Sequence, residues 1–369
     1  RSMEIAIMSE LEDKSDAPAQ LEYTHDDVFG EITEDGPNFR NVGFLGTVIL
    51  MMKTQIGLGV LAIPSALDIL GMVPGIICIV VIACMTTWSG YIIGDFKINH
   101  REVYSIDDTG GIMFGLSGRV FLRLDFAYWL GYFDSIRTLG RITWLAWIGL
   151  PCILTAVIMV TIAVGLENRP AAALQTPGPW TSDWVAFGKP NFAKAIAAVS
   201  NLLFAFSGTP GFFSIVSEMR NPRQYGAAVI ACQTGVTLVY AIVGCVIYYY
   251  CGTYVSSPAL GSAGGVIKII SYAFALPGLF VTMTIVTHIP AKFIFVHVLR
   301  GSRHLTSNSP THWITWLSCI LGITVIAWII ASTIPVFNDL VSLIGALLGP
   351  IMCLQPMGAM WLYDNWGKT

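Results

Sequence analysis

Charge is what this sequence has least of. Its 369 residues include 20 Lys and Arg and 23 Asp and Glu, so charged residues make up 12% of the chain, against roughly 25% in an average soluble domain. Hydrophobic residues make up 54%. The net charge of −3 leaves no basic excess, which excludes a typical nucleic acid binder. Several apolar runs reach the roughly 20 residues that cross a bilayer, which excludes a soluble single-core enzyme. The composition predicts an all-α polytopic membrane protein embedded in a lipid bilayer.

Cysteine is also sparse and carries no metal-binding or redox pattern. The chain has eight cysteines and none of them forms a CxxC pair. Most lie inside apolar runs, where a cysteine is typically a small buried hydrophobe: Cys78, Cys84, Cys152, Cys232, Cys245 and Cys319. We therefore expect no metal and no cofactor.

The N-terminal 43 residues differ from the rest in composition. They hold 11 of the 23 acidic residues and only three basic ones. High charge with few apolar runs is typical of disorder. The pattern predicts an acidic disordered cytosolic tail over residues 1–43, followed by a transmembrane domain over residues 44–366.

The transmembrane domain divides into about eight predicted spans. The apolar runs cover residues 44–67, 72–94, 142–165, 192–216, 227–250, 265–290, 313–334 and 340–362. The longest connections, 95–141 and 166–191, are not predicted to fold as separate domains. With the N-terminus inside, fifteen Lys and Arg fall on the cytosolic side and four outside, with Lys53 inside a span. Because basic residues near span ends are retained in the cytosol, both termini are predicted to be cytosolic. The same count predicts that residues 119–133 cross the membrane zero times, or re-enter.

Two of the spans contain residues that interrupt a helix. The first, MMKTQIGLGVLAIPSAL (51–67), carries Gly57, Gly59 and Pro64, and the fourth, NLLFAFSGTPGFFSIVSEM (201–219), carries Ser-Gly-Thr-Pro-Gly at its middle. Unwound backbone at membrane depth is tolerated where it lines a cavity. Two broken helices therefore indicate the substrate site of a transporter.

Lys53 lies inside the first span. A lysine at the centre of a membrane helix costs about 2.5 to 3.5 kcal/mol on insertion scales, so it needs a partner or an escape to the surface. One interpretation is that its side chain reaches the inner surface, since only nine residues follow Phe44. The functional interpretation pairs it with Glu218, at the end of the fourth span, or with exposed carbonyls at a helix end.

Polar residues of the sixth span form a third group, with Thr282, Thr284, Thr287 and His288 following Pro277. His288 could serve in a proton path, or be an ordinary histidine bonded to a neighbouring carbonyl. The threonine hydroxyls could instead coordinate Na⁺. The coupling ion is left open at this point. Phenylalanines 204, 206, 212 and 213 flank the interruption of the fourth span, and such a pocket suits a small zwitterion with an apolar side chain.

Two other classes of function are alternatives to transport: an intramembrane enzyme, and a channel or substrate-sensing receptor. The stretch 115–118, GLSG, has the GxSG form of intramembrane serine proteases, but it falls in a predicted polar cytosolic loop without a histidine at membrane depth to serve it. A channel lacks support, because no filter sequence or ring of charges is present. A substrate-sensing receptor would use the same pocket as a transporter. The prediction is that the protein is not an enzyme.

Six sequence blocks carry a resemblance to a known family. They are KTQIGLGVLAIPSAL (53–67), SIRTLGRITWLAW (135–147), FAFSGTPGFFSIVSEMRNPRQY (204–225), YYYCGTYVSSPALGSAG (248–264), LPGLFVTMTIVTHIPAKFIFVHVLRGSRHLTSN (276–308) and VSLIGALLGPIMCLQPMGAMWLYDNW (341–366). The blocks cover nearly all of residues 40–366 in order, and they resemble the amino acid/auxin permease family. More narrowly, they are similar to fungal neutral amino acid permeases of the methyltryptophan-resistance type.

The resemblance implies an inverted-repeat, broken-helix secondary transporter fold, with eleven helices of which the first and sixth are broken at the substrate site. It implies inward symport of neutral aliphatic and aromatic amino acids with H⁺, at the plasma membrane or the vacuolar membrane. On that analogy, the backbone around residues 56–59 and 207–209 holds the carboxylate and amino groups. The predicted substrate-binding set is Thr54, Ile56, Gly57, Leu58, Gly59, Phe206, Ser207, Gly208 and Thr209, and the predicted coupling and gating set is Lys53, Glu218, Thr284, Thr287 and His288.

The chain also departs from the family pattern. It passes from DFAYWLGYF (125–133) directly into DSIRTLGRI (134–142), where the family has its third and fourth helices, and residues 365–369 precede the place of the family's eleventh. The expected fold is therefore incomplete. An amino acid sensor that does not transport, or an inactive truncated permease, is the alternative function.

Overall fold

A computed structural model describes residues 25–26, 30–31, 41–57, 59–103, 106–129, 139–167, 169–173, 181–298, 310–333 and 337–366. These residues are almost entirely helical. The β-structure among them is a two-residue antiparallel pair, β1 (His25–Asp26) with β2 (Gly30–Glu31), and one parallel bridge between Val42 and Met219. Irregular segments such as residues 181–191 connect the helices. The α-helices are α1 (Phe44–Gln55), α2 (Ile63–Leu70), α3 (Met72–Asn99), α4 (Ile106–Trp129), α5 (Leu139–Leu166), α6 (Phe192–Ala205), α7 (Phe212–Ser217), α8 (Tyr225–Cys251), α9 (Gly265–Val298), α10 (Pro310–Thr333), α11 (Phe337–Cys353) and α12 (Gln355–Asn365).

Short 3₁₀ turns connect several of these helices. They cover Gly59–Ala62, Thr209–Gly211, Pro222–Gln224, Gly252–Tyr254 and Ala259–Ser262. The first two interrupt the spans in which the sequence predicts breaks. Of the predicted N-terminal tail, only residues 25–26, 30–31 and 41–43 lie inside the described part of the chain.

Within the described residues, six helical segments are long and apolar enough to cross a membrane, or seven if the bent pair Phe44–Gln55 and Gly59–Leu70 counts as one span. A shorter apolar helix, Pro310–Ile326, lies in the seventh predicted span. Each predicted span overlaps a helix of the structure. Large apolar side chains on α3, including Ile77, Val81 and Trp88, are exposed rather than packed inside the protein. Such an apolar surface is suited to contact with the lipid bilayer.

The predicted loop 95–141 contains a helix that the sequence analysis did not predict. Helix α4 covers Ile106–Trp129, with a non-helical residue at Gly115, where φ is 65° and ψ is −151°. Its glycine-rich sequence favours a loop by propensity, and the helix is interrupted at one of those glycines. The GLSG stretch therefore lies at a kink within a helix, where Ser117 is exposed.

Close backbone approaches fix the packing of the long helices. Helix α5 packs along α9, where a Cβ on Gly149 would lie 2.6 Å from Cβ of Val281. Helix α11 packs along α6, and a Cβ on Gly345 would overlap the carbonyl oxygen of Ser200. Larger residues at these two glycines would push the helices apart.

Residues 181–191 form a strap across one end of the bundle. The carbonyl oxygens of Val185 and Ala186 each accept a hydrogen bond at 3.0 Å, from the backbone N–H groups of Met72 and Val73 respectively. These are the first residues of α3, whose N–H groups have no partner within the helix. The strap therefore caps α3 where the chain turns from α2.

Candidate functional site

The first span is broken after α1. The helix ends at Gln55, a 3₁₀ turn begins at Gly59, and the two halves are bent by 42°. We call residues 56–58 the first break. The N–H of Ile56 still donates to the Met52 carbonyl at 2.7 Å, whereas Gly57 donates to the Gln55 carbonyl at 2.9 Å. Ile56 and Gly57 are buried, and Leu58 lies outside the described residues.

The span of α6 and α7 is interrupted without a comparable bend. Helix α6 ends at Ala205, residues 206–208 form turns, and the 3₁₀ turn Thr209–Gly211 leads into α7, while the whole continues as one candidate span, Phe192–Ser217. We call residues 206–208 the second break. Pro210 lacks the N–H that a continuous helix would use there. The Ser207 hydroxyl donates to the Leu203 carbonyl at 2.8 Å.

The two breaks lie against each other. A Cβ on Gly208 would lie 2.7 Å from both Thr54 Oγ1 and Gln55 Cγ, and a Cβ on Gly59 would lie 2.6 Å from Cα of Ala205. Glycine is therefore required on each side, because Gly59 lies against the backbone of Ala205 and Gly208 lies against the side chains of Thr54 and Gln55. Thr54 itself is satisfied within α1, since its hydroxyl donates to the Met51 carbonyl at 2.8 Å.

One tyrosine of α8 joins the two breaks. The Tyr240 hydroxyl lies 2.8 Å from the carbonyl oxygen of Gln55 and 2.8 Å from that of Ala205. These are the last residues of α1 and α6, whose carbonyls have no partner within their helices and carry partial negative charge. A hydroxyl has one hydrogen, so both carbonyls share a single donor. Phe206 packs edge-on against the same ring at 5.0 Å.

Sequence analysis did not identify Tyr240. Its position in the span could have identified it. Tyrosines of membrane proteins concentrate at the membrane surfaces, but Tyr240 lies near the middle of Tyr225–Cys251. A buried tyrosine at that depth needs a hydrogen-bond partner.

Lys53 points into the first break. Its ammonium donates to the carbonyl oxygen of Ile56 at 3.3 Å and to the hydroxyl of Thr282, on α9, at 2.5 Å. The side chain is fully buried, so it does not reach a membrane surface. Thr282 in turn donates to the Gly278 carbonyl at 3.0 Å. A Cβ on Gly57 would lie 3.0 Å from the Thr282 methyl group, so the break, the lysine and α9 form one packed unit.

Of the two partners considered for Lys53, the structure provides the helix-end carbonyl and does not bring Glu218 to it. Glu218 follows α7, and its backbone carbonyl accepts from the N–H of Val42 at 3.2 Å, before α1 begins. Eleven residues separate Val42 from Lys53, which is about 16 Å of helix. Glu218 is buried beside the start of α1, and Lys53 lies near its end.

The polar residues predicted on the sixth span lie on α9. Thr284 donates to the Phe280 carbonyl of its own helix at 2.9 Å. The side chains of Thr287 and His288 lie outside the described residues. Thr282, which belongs to the sixth-span polar group but was left out of the predicted coupling and gating set, is the threonine that contacts the first break.

Aromatic side chains surround the second break. Phe206, Phe212 and Phe213 are fully buried, and Phe204 is half-buried. Among the described residues, no group of three His, Cys, Asp or Glu is placed to hold a metal ion. The geometry defines a multi-pass helical membrane protein whose two interrupted spans meet at a buried junction. There the helix-end carbonyls bond to side chains from other helices, beside aromatic surface.

Comparison with known proteins identifies the family. The family described as transmembrane amino acid transporter protein matches residues 40–130 and 132–363. The chain therefore belongs to the transmembrane amino acid transporter family. The family match and the helical spans confirm the fold class predicted from the sequence, a polytopic helical transporter.

Fungal relatives match along most of the chain. A transmembrane transporter of Fusarium pseudograminearum is 32% identical over 367 residues, which cover 89% of this chain and 77% of the relative. A transmembrane transporter of Gibberella moniliformis is 33% identical over 366 residues, with the same shares. The N amino acid transport system protein of Neurospora crassa is 28% identical over 355 residues, covering 86% of this chain and 75% of that protein.

Proposed function

We propose that this protein carries neutral aliphatic and aromatic amino acids into the cell together with protons. The observation that carries the proposal is the contact between the two breaks, where Gly208 lies against Thr54 and Gln55. Breaks of this kind expose N–H groups to a carboxylate and carbonyl groups to an ammonium. A zwitterion presents both charges, so a junction built from two breaks suits an amino acid head group.

The surroundings of the junction support a neutral substrate. Phe206, Phe212 and Phe213 are buried beside the second break and supply apolar surface for an aliphatic or aromatic side chain. A charged side chain placed against them would lose its hydration without gaining a partner. The backbone at Ile56, Gly57 and Gly59 and at Ser207, Gly208 and Thr209 is proposed to hold the head group, with Leu58 in the same segment.

Lys53 is the proposed coupling residue. Its ammonium ties the first break to α9 through two neutral acceptors, the Ile56 carbonyl and the Thr282 hydroxyl. Loss of the proton would remove the charge that strengthens both hydrogen bonds. Protonation at Lys53 is therefore linked to the relative position of α1 and α9. Thr284, Thr287, His288 and Glu218 remain proposed members of the coupling and gating set.

The proposal is tested by uptake of labelled leucine and phenylalanine in permease-deficient yeast, at an acidic and a neutral external pH. We expect uptake that rises with external acidity, is competed by neutral but not charged amino acids, and is unchanged when external Na⁺ is replaced by choline. Cells carrying the empty vector are the control. Surface protein without uptake above that control contradicts the proposal, and uptake that requires Na⁺ contradicts the coupling ion.

The second candidate is an amino acid sensor that does not transport, or an inactive shortened permease. It is favoured by the direct passage from DFAYWLGYF (125–133) to DSIRTLGRI (134–142), where the resemblance places a third and a fourth helix. Saturable binding of leucine without flux would support it. A fluorescent tag at either end would test the proposed cytosolic termini and distinguish the plasma membrane from the vacuolar membrane.

A further inference from the structure

Gln55, the last residue of α1, has an unusual side chain for this depth. It is 3% exposed, and neither its amide nitrogen nor its amide oxygen has a hydrogen-bond partner among the described residues. A buried carboxamide without partners is unfavourable, and in a native protein it indicates a ligand, a water or a functional role.

The direction of the side chain points to a ligand site. A Cβ on Gly208 would lie 2.7 Å from Cγ of Gln55. The Gln55 side chain therefore extends from the first break toward the second. Thr209, the next residue after Gly208, also has a hydroxyl without a partner among the residues that the structure describes. Unpartnered polar atoms from both spans are thus placed on either side of one glycine.

The two polar atoms of the Gln55 carboxamide match the two charged groups of an α-amino acid. Its nitrogen donates and its oxygen accepts hydrogen bonds. An α-amino acid presents a carboxylate, which accepts, next to an ammonium, which donates. The nitrogen of Gln55 can therefore bind the carboxylate while its oxygen binds the ammonium.

We propose that Gln55 is a specificity-determining residue that recognises the zwitterionic head group of the amino acid, with the Thr209 hydroxyl as a second donor to the carboxylate. This inference rests on the proposed function in requiring an amino acid ligand, but it does not require transport. It distinguishes α-amino acids from amines and from carboxylic acids of the same side chain.

A second buried glutamine provides a matched control. Gln233 on α8 is 2% exposed, and its amide atoms likewise have no partner within the described ranges. Gln233 lies seven residues before Tyr240, which is about 10 Å along the helix. The Tyr240 hydroxyl bonds to the carbonyl groups at the breaks. Contacts of Gly90 with Val229 and of Gly94 with Tyr225 show that this part of α8 packs against α3.

The test measures binding by the purified full chain in lipid nanodiscs, so that it is independent of flux. The probes are labelled leucine and, as competitors, leucinol, which lacks the carboxylate, and 4-methylpentanoate, which lacks the ammonium. The variants are Gln55→Met, Gln55→Glu and the control Gln233→Met. Thermal unfolding of each variant verifies that it folds.

Because a hydrogen bond to a charged group contributes about tenfold or more in affinity, we expect Gln55→Met to raise the Kd for leucine about 10-fold or more. Gln55→Glu should weaken leucine and strengthen leucinol, since a carboxylate repels the carboxylate of leucine and attracts the ammonium. Gln233→Met should stay close to the wild-type Kd. A merely structural role would weaken leucine and leucinol equally.

Each outcome separates the two proposals. A Kd for leucine in folded Gln55→Met equal to that of the wild type overturns the role of Gln55. Equal losses of leucine and leucinol in Gln55→Glu overturn it as well. Binding with the expected variant pattern but without uptake contradicts only the transport proposal. A wild-type chain that binds no leucine overturns both.

Discussion

The Tyr240 hydroxyl and the Gln55 backbone carbonyl are joined by a buried 2.8 Å hydrogen bond, although 185 positions separate the two residues in the sequence. The same hydroxyl lies 2.8 Å from the Ala205 carbonyl, at the end of the other half-helix. A single side chain of α8 thus holds both interrupted spans at the point where their helical hydrogen bonding stops. Any movement of one half-helix against the other must change this contact.

Replacing Tyr240 with Phe should destabilise the protein by about 1 to 3 kcal/mol, because the Ala205 and Gln55 carbonyls lose this donor and the Gln55 carbonyl keeps only the Gly57 N–H. The measurement is thermal unfolding of the purified chain. We also expect slower leucine uptake at equal surface expression, since the relative position of the breaks is no longer fixed.

The matched control for Tyr240 is Tyr248→Phe. The Tyr248 hydroxyl accepts from the Val185 N–H at 3.1 Å, in the strap over residues 181–191 and away from the breaks. It should change uptake less than Tyr240→Phe does. Equal effects of the two variants on uptake would argue against a special role for Tyr240.

Gly57→Leu should abolish uptake without loss of surface protein. A Cβ at this position already lies 3.0 Å from the Thr282 methyl group, and the remaining atoms of leucine have to displace the threonine that binds Lys53. Gly322→Leu is the control, because nothing lies within 4 Å of a Cβ at that position. Unchanged uptake in Gly57→Leu would remove the first break from the substrate site.

Lys53→Met should remove the rise of uptake with external acidity, since the group that takes up the coupled proton is gone. Lys53→Arg should have the same effect, because an arginine keeps its proton throughout. Both are measured as the ratio of leucine uptake at acidic and neutral external pH. Retention of the wild-type ratio in both variants would place coupling elsewhere.

A control for the lysine variants is Lys97→Met. Lys97 is also buried, but it donates to the carbonyl groups of Arg101 and Val103 at the end of α3. Its replacement should lower stability while leaving the pH ratio unchanged. A loss of the ratio here too would indicate a general effect of removing buried lysines.

The ionisation of Asp183 should make the strap over residues 181–191 sensitive to pH. Partial burial alone would raise the pKa of Asp183, but hydrogen bonds from the Thr253 hydroxyl at 2.6 Å and N–H at 2.9 Å lower the pKa below its ordinary value. A lowered pKa in the folded state stabilises the contact above the ordinary aspartate pKa of about 4, and this stabilisation is lost as pH falls through the folded value.

Hydrogen exchange of the Thr253 amide, corrected for its intrinsic pH dependence, measures this contact. We expect constant protection from neutral pH down to about 4 and loss of protection below it. Asp183→Asn should weaken protection at neutral pH, whereas the exposed Asp339→Asn should leave it unchanged. Protection in Asp183→Asn equal to that of the wild type would show that the carboxylate does not hold the strap.

The sequence by itself determined the class of the protein and the positions of its breaks. Runs of apolar residues predict membrane spans, because the bilayer stabilises each apolar side chain whatever residues lie elsewhere in the chain. Gly57, Gly59 and Pro210 locate the interruptions because these residue types alter the backbone where they stand. The same local reasoning missed α4, since the glycines of Ile106–Trp129 favour a loop by propensity.

Only the tertiary structure decided what meets at the breaks. The side chain that accepts from Lys53 is Thr282, 229 positions away, and not Glu218, whose backbone instead bonds to Val42. Tyr240 and the direction of the Gln55 side chain likewise follow from how α1, α6 and α8 are rotated against one another. A partner across the bundle depends on the rotation and the height of each helix, and these are set by the packing of whole helix faces rather than by any local sequence pattern.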